Sequence, residues 1–197
     1  IPLGKVVECV SVINTGAKYN DEVFQFSVGL NGVGTKAVNA LSEYFRVVSV
    51  RDGKYAEAVF ERGVLAHEKQ GAAKKGVKNG TLVEFIPDTE IFGEYTFNLD
   101  FIEKRMWNYA YLNAGLTLTF NGASYISQNG LLDLLGDEIG EETLYPVAHF
   151  KEAKLEFAFT HTNNYGETYF SFVNGQYTSD GGTHLSAFKE GLLKGIN

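Results

Sequence analysis

Apolar positions along the chain alternate between two periods, and the changes of period mark out its elements. Val6, Val7, Val10 and Ile13 share one face at helical spacing, which predicts an amphipathic helix over 5–14. Residues 15–27 hold few apolar anchors among Gly16, Lys18, Asn20 and Asp21, and read as a long loop. Ala37, Val38, Leu41, Tyr44 and Phe45 then recur at helical spacing. Two strands follow over 44–50 and 55–61, joined by Arg51-Asp52-Gly53-Lys54, whose Asp-Gly pair is a strong hairpin signal. Residues 67–80 are polar and lysine-rich and read as a solvated hairpin tip. Leu82–Ile86 is the next strand, stopped by Pro87-Asp88.

The second half repeats the mixture. Ile102, Arg105, Met106, Tyr109 and Leu112 predict a helix over 99–112, with Trp107 at the edge of its face. Leu116, Leu118 and Phe120 alternate into an Asn121-Gly122 hairpin that returns over 124–126. A short helix over 131–135 precedes residues 136–146, whose four acids, glycine and proline mark a boundary. Leu155, Phe157 and Phe159, then Phe170 and Phe172, alternate as strands around an Asn163–Gly166 turn. Gly181-Gly182-Thr183 opens a last helix bearing Leu185, Phe188, Leu192 and Ile196. Helices mixed with antiparallel strands predict a two-layer α+β sandwich.

Composition narrows the class. With 44% hydrophobic residues, the chain has enough apolar side chain for a sizeable core, which argues against global disorder. Seventeen basic residues against 24 acids give a net charge of −7, so this region is not expected to be the main grip on nucleic acid. Cys9 is the single cysteine, which excludes an internal disulfide and fits a reducing cytoplasm. No apolar run approaches membrane-spanning length. His67, His149 and His161 lack metal-ligand spacing, and His184 is expected only to support the turn it follows. The chain opens at Ile1-Pro2 and stops inside a helical pattern, which reads as a piece of something longer.

Candidate chemistry concentrates in Ser27-Val-Gly-Leu-Asn-Gly-Val-Gly-Thr-Lys-Ala-Val-Asn-Ala-Leu-Ser42. Gly29, Gly32 and Gly34 allow sharp turning and close backbone approach, and a helix that begins with unpaired N–H groups can seat phosphate. The glycine spacing matches neither a Walker loop nor a dinucleotide fingerprint. The wording instead resembles the ATP lid of the B subunits of bacterial type II topoisomerases. Three further stretches match the family in order: Ile13–Tyr19 before the lid, Gly80-Thr-Leu-Val-Glu-Phe-Ile-Pro-Asp88 beside the adenine pocket, and Tyr169–Gly175 with Gly181–Phe188 at the start of the transducer. Asn31 with Thr35-Lys36 resembles the topoisomerase IV branch more than the gyrase branch.

The resemblance implies a GHKL-type ATPase sandwich, incomplete at its N-terminus, over 1–140, then the first part of an α+β transducer (ribosomal protein S5 domain 2-like) over 141–197. ATP binding would close two B subunits into a DNA gate, with an A subunit cutting and resealing DNA. Backbone N–H groups of Gly29, Leu30, Asn31, Gly32, Val33, Gly34 and Thr35 would wrap the β- and γ-phosphates, with Lys18 nearby. Thr81 would bond the adenine side directly or through water, and Ile1 and Pro2 would line the base pocket. The general-base glutamate, magnesium-binding asparagine and adenine-binding aspartate of the family precede the Ile-Pro match. The Gln-Thr-Lys loop follows Asn197. Glu8 and Glu22 have no partner to tune them as a base, so this stretch alone is expected to lack ATPase activity. Three other readings remain: the B subunit of DNA gyrase, a stand-alone module using the glycine loop for another anion, and a structural interaction domain. The 15–34 loop is expected to be mobile, and no membrane partner is expected.

Overall fold

The computed structural model of the chain describes residues 1–15, 32–140 and 143–197. It comprises two compact units, Ile1–Thr96 and Phe97–Asn197.

The first unit is built on a four-stranded antiparallel sheet. Its strands are β1 (Ser42–Arg51), β2 (Lys54–Glu61), β3 (Val64–Ala72) and β4 (Gly80–Pro87), in the order β3-β2-β1-β4. Asp52 and Gly53 both take positive φ, 51° and 75°, while Arg51 pairs with Lys54. That is the two-residue turn whose twist suits a hairpin, and it sets the register of β1 on β2. Phe45, Val47 and Ser49 alternate on one face of β1, opposite Phe60, Ala58 and Ala56 of β2. A 3-10 turn (Leu3–Lys5), α1 (Val6–Ser11) and α2 (Gly34–Ala40) cover this face. Val6 and Val10 of α1 are buried against it, and Phe45 meets Phe60 edge-on with ring centroids 6.1 Å apart. Buried aliphatic and aromatic side chains of this kind each contribute about 1.5–3 kcal/mol as an upper estimate, so this seam holds the layers together. On the opposite face Arg46 of β1 donates to Glu57 of β2 at 2.9 Å and to Glu84 of β4, stitching three strands.

Strand pairing overrides three expectations in this unit. The helix after the glycine turn ends at Ala40, and Tyr44 and Phe45 lie in β1. Their spacing fits either period, and pairing with β2 and β4 selects the strand. Residues 64–72 form β3 rather than part of a loop, and only 73–79 connect it to β4. An outer strand exposed along its whole length buries no side chain, so its polar residues carry no alternation to read. The helix expected over 5–14 is likewise shorter, since Ile13 lies beyond α1 and is 59% exposed.

The second unit contains α4 (Leu99–Leu112), preceded in the first by the short α3 (Thr89–Phe92), and α5 (Leu131–Ile139) and α6 (Thr183–Ile196). Three hairpins separate them: β5 (Leu118–Phe120) with β6 (Ala123–Tyr125), β7 (Ala148–Lys151) with β8 (Glu156–Phe159), and β9 (Phe172–Val173) with β10 (Gln176–Tyr177). Asn98 caps α4 by accepting from the Phe101 N–H at 3.1 Å, which explains its sharp start. Trp107 stacks on Tyr111 and meets Tyr125 edge-on, both at 5.4 Å. Phe157 of β8 packs on Phe150 of β7 at 5.2 Å and on Phe188 of α6 at 5.0 Å. The helix expected over 131–135 continues through Gly136 to Ile139 and ends at Gly140 in the left-handed region. β8 pairs with β7, not with the 169–173 segment, where only Phe172 and Val173 are in a strand. Mixed helices and antiparallel sheets bear out the α+β expectation.

Candidate functional site

The described end of the glycine-rich motif, from Gly32 on, meets the segment that follows α1. Thr15, at the exit of α1, and Gly32, before α2, flank residues 16–31 and lie in direct apposition. A Cβ on Gly32 would sit 2.8 Å from the Thr15 carbonyl oxygen, and Gly32 has φ +57°. Lys36, one turn into α2, is nearly buried and donates from Nζ to the same carbonyl at 3.1 Å. Thr15 Oγ1 bonds back to the carbonyls of Val12 (2.6 Å) and Glu8 (3.1 Å), and Asn39 of α2 donates to the Val10 carbonyl at 3.0 Å. These bonds clamp Thr15 and α2 onto α1. α2 starts after Val33 with no side-chain cap, and its first bond to Val33 comes from the Ala37 N–H at 2.9 Å. Gly34 and Thr35 are exposed, so their N–H groups are of the kind that bind anions. Gly29, Leu30, Asn31 and Lys18, and most of the loop expected to be mobile, lie outside the described residues.

A second group gathers at the far end of β1. Ser49, 1% exposed, donates from Oγ to the Ile1 carbonyl at 2.6 Å, and its register partner on β4 is Thr81. Ile1 and Pro2 are thereby held one strand away from Thr81, whose side chain remains exposed. Ser49 is a polar residue inside an apolar strand pattern, and Lys36 carries in the sequence only its likeness to one branch of the family. Burial alone shows that the partner of each is a backbone carbonyl brought in from far along the chain.

Electrostatic work elsewhere in this unit is structural. Arg62 donates to both Asp88 carboxylate oxygens, at 2.7 and 3.4 Å, and to Glu90 at 2.7 Å. That guanidinium, followed by the Glu90 N–H, holds the Asp88 carboxyl below its ordinary range. Glu8 lies on the half-buried side of α1, 3.7 Å from Lys5. In the second unit His184 Nε2 pairs with Ser171 Oγ at 2.6 Å, and Thr178 Oγ1 donates to that same Oγ at 2.8 Å. This ties the β9–β10 hairpin to the start of α6, a supporting role as expected.

Among the described residues, no three His, Cys, Asp or Glu side chains gather to hold a metal. Among the same residues no helix is long and apolar enough to cross a membrane.

Comparison with known proteins agrees with this layout. The family described as DNA gyrase B matches residues 123–197. Over its whole length the chain is 59% identical to the B subunit of DNA topoisomerase 4 from Borreliella burgdorferi, covering 33% of that protein. It is 32% identical to the B subunit of DNA gyrase from Helicobacter pylori over 99% of the chain and 27% of the relative. The chain thus spans about a third of the length of these relatives. Among solved structures, the 43K ATPase domain of Thermus thermophilus gyrase B, in complex with an aminocoumarin, superposes with a TM-score of 0.68. That match has 33% identity and covers 84% of this chain and 51% of the other. The ATPase region of Saccharomyces cerevisiae topoisomerase II, 23% identical, shares the fold with a TM-score of 0.77 over 96% of this chain and 51% of that one. A likeness that runs the full length of the chain leads to one conclusion: the chain belongs to the B-subunit family of the bacterial type II DNA topoisomerases.

Proposed function

We propose that this chain is the lid-bearing part of the ATPase region and the start of the transducer in a topoisomerase IV B subunit. The observation that carries this reading is 59% identity over the whole chain to a topoisomerase 4 relative, against 32% to a gyrase B of comparable coverage. The protein that contains it acts as a strand-passage machine. ATP binding closes two B subunits, and a partner A subunit cleaves and reseals DNA. The ATPase part runs over 1–140 and the transducer from 141.

Within the nucleotide site, the backbone N–H groups of Gly29, Leu30, Asn31, Gly32, Val33, Gly34 and Thr35 bind the β- and γ-phosphates, and Lys18 adds a point charge. Thr81 receives the adenine side, and Ile1 and Pro2 line the base. The clamped Thr15–Gly32 junction supports this, because a loop anchored at both feet loses less conformational entropy when it wraps a ligand. ATP supplies the free energy of gate closure. Magnesium is held by residues outside this chain.

Decatenation by the intact protein with its matching A subunit tests the topoisomerase IV assignment. ATP-dependent unlinking without negative supercoiling is expected, and supercoiling would transfer the assignment to gyrase. Calorimetry of the intact protein with a non-hydrolysable ATP analogue tests the site. Binding that survives a Thr81→Ala, Gly34→Pro double substitution unchanged would remove it.

A further inference from the structure

The loops at one end of the four-stranded sheet form a basic platform that the nucleotide site does not use. Residues 51–54 and 73–80 contain five of the chain's 17 basic residues (Arg51, Lys54, Lys74, Lys75 and Lys78) and only one of its 24 acids, Asp52. Elsewhere acids outnumber bases by almost two to one.

The two loops are fastened together. The Ala73 N–H donates to the Gly53 carbonyl at 2.8 Å, and the Asp52 N–H donates to Asn79 Oδ1 at 2.8 Å. Asn79 Nδ2 returns a bond to Asp52 Oδ1 at 3.1 Å, so the single acid is occupied by a neutral partner. Asp52 also lies 3.7 Å from Arg51, a pair too exposed to quench the positive field. All five basic side chains are exposed, and the tip between them carries the exposed Val77.

We propose that this platform is a docking surface for the phosphate backbone of duplex DNA. Charge and shape both favour that occupant. Five exposed cations are spread across two loops rather than gathered at one point. A linear polyanion meets such a surface with several phosphates at once, and release of its counterions drives the contact. The loops are crosslinked before binding, so less ordering entropy opposes it. No base edge is read, and the binding is indifferent to sequence. The inference rests on the reading of the protein as a DNA-handling subunit.

The test is fluorescence anisotropy of the 197-residue chain with a short labelled duplex, between about 50 and 200 mM salt. A Lys74→Gln, Lys75→Gln, Lys78→Gln variant is expected to bind about tenfold more weakly at low salt. Its slope of log affinity against log salt should fall by about two to three. The corresponding Lys→Arg variant keeps both affinity and slope. All three proteins should melt together, since these side chains are solvent-facing. No binding by the unmodified chain at low salt would overturn the proposal, as would an unchanged slope in the glutamine variant. A shift of oligomeric state without loss of DNA affinity would assign the platform to a second, acidic copy of the chain and overturn it too. Calorimetry of the intact protein with the ATP analogue separates the two readings: nucleotide binding that persists while the DNA result fails leaves the proposed function standing.

Discussion

Gly32 shows how one residue can set the geometry of a loop. Its φ of +57° lies where a Cβ costs about 1–2 kcal/mol, and here that Cβ would also meet the Thr15 carbonyl at 2.8 Å. Gly32→Ala is therefore expected to destabilise the chain by at least about 1–2 kcal/mol in urea denaturation and to loosen the loop foot. Gly34→Ala, inside α2 with open space around it, should be neutral or slightly stabilising. Equal effects at both positions would show that backbone strain is not the cause. The glycines were legible in the sequence because no other residue type explains them. The partner of Lys36 was not, because a lysine in a helix reads as solvent-facing until its side chain is found buried with its ammonium on the Thr15 carbonyl.

At the scale of elements, side chains that end one element and start the next carry the stability that can be tested. Asp88 accepts from Arg62 and from the Glu90 N–H where β4 gives way to α3, and these bonds depress its pKa. A depressed carboxyl stabilises the fold fully above its unfolded value and loses that contribution as pH falls through the folded one. Asp88→Asn should thus be less stable than the parent at neutral pH, with the gap closing below about pH 4. Thermal melts at a series of pH values measure this, and a gap that does not change with pH would contradict it. Asp133, in the first turn of α5, plays a similar part, accepting from Ser127 Oγ (2.7 Å), the Asn129 N–H (3.0 Å) and the Gln128 N–H (3.1 Å) just ahead of the helix. Asp133→Ala should cost about 1–2 kcal/mol by denaturant midpoint. Most helices and the two hairpins with Asp-Gly and Asn-Gly turns were legible, since periodicity and turn chemistry act over a few residues, whereas the four-residue α3 is too short to show a period. β3 and the pairing of β7 with β8 were not, since an exposed outer strand has no buried side to leave a pattern.

At the scale of the whole molecule, no three His, Cys, Asp or Glu side chains gather to hold a metal among the described residues, and the general-base glutamate that the proposed function requires has no counterpart proposed within the chain. The isolated chain is accordingly expected to release no phosphate from magnesium-ATP, and robust turnover would mean that a glutamate within it acts as the base. The sequence by itself determined the α+β class, the family, the glycine loop and the positions of most helices, because these follow from local periodicity, residue conformational freedom and motif wording. Only the tertiary structure decided that Thr15 meets Gly32, that Ser49 ties Ile1 to the strand next to the one bearing Thr81, and that two basic loops fuse into one platform. Each of these is a contact between residues far apart in the chain. Such contacts depend on sheet register and layer packing, which no short window of sequence encodes.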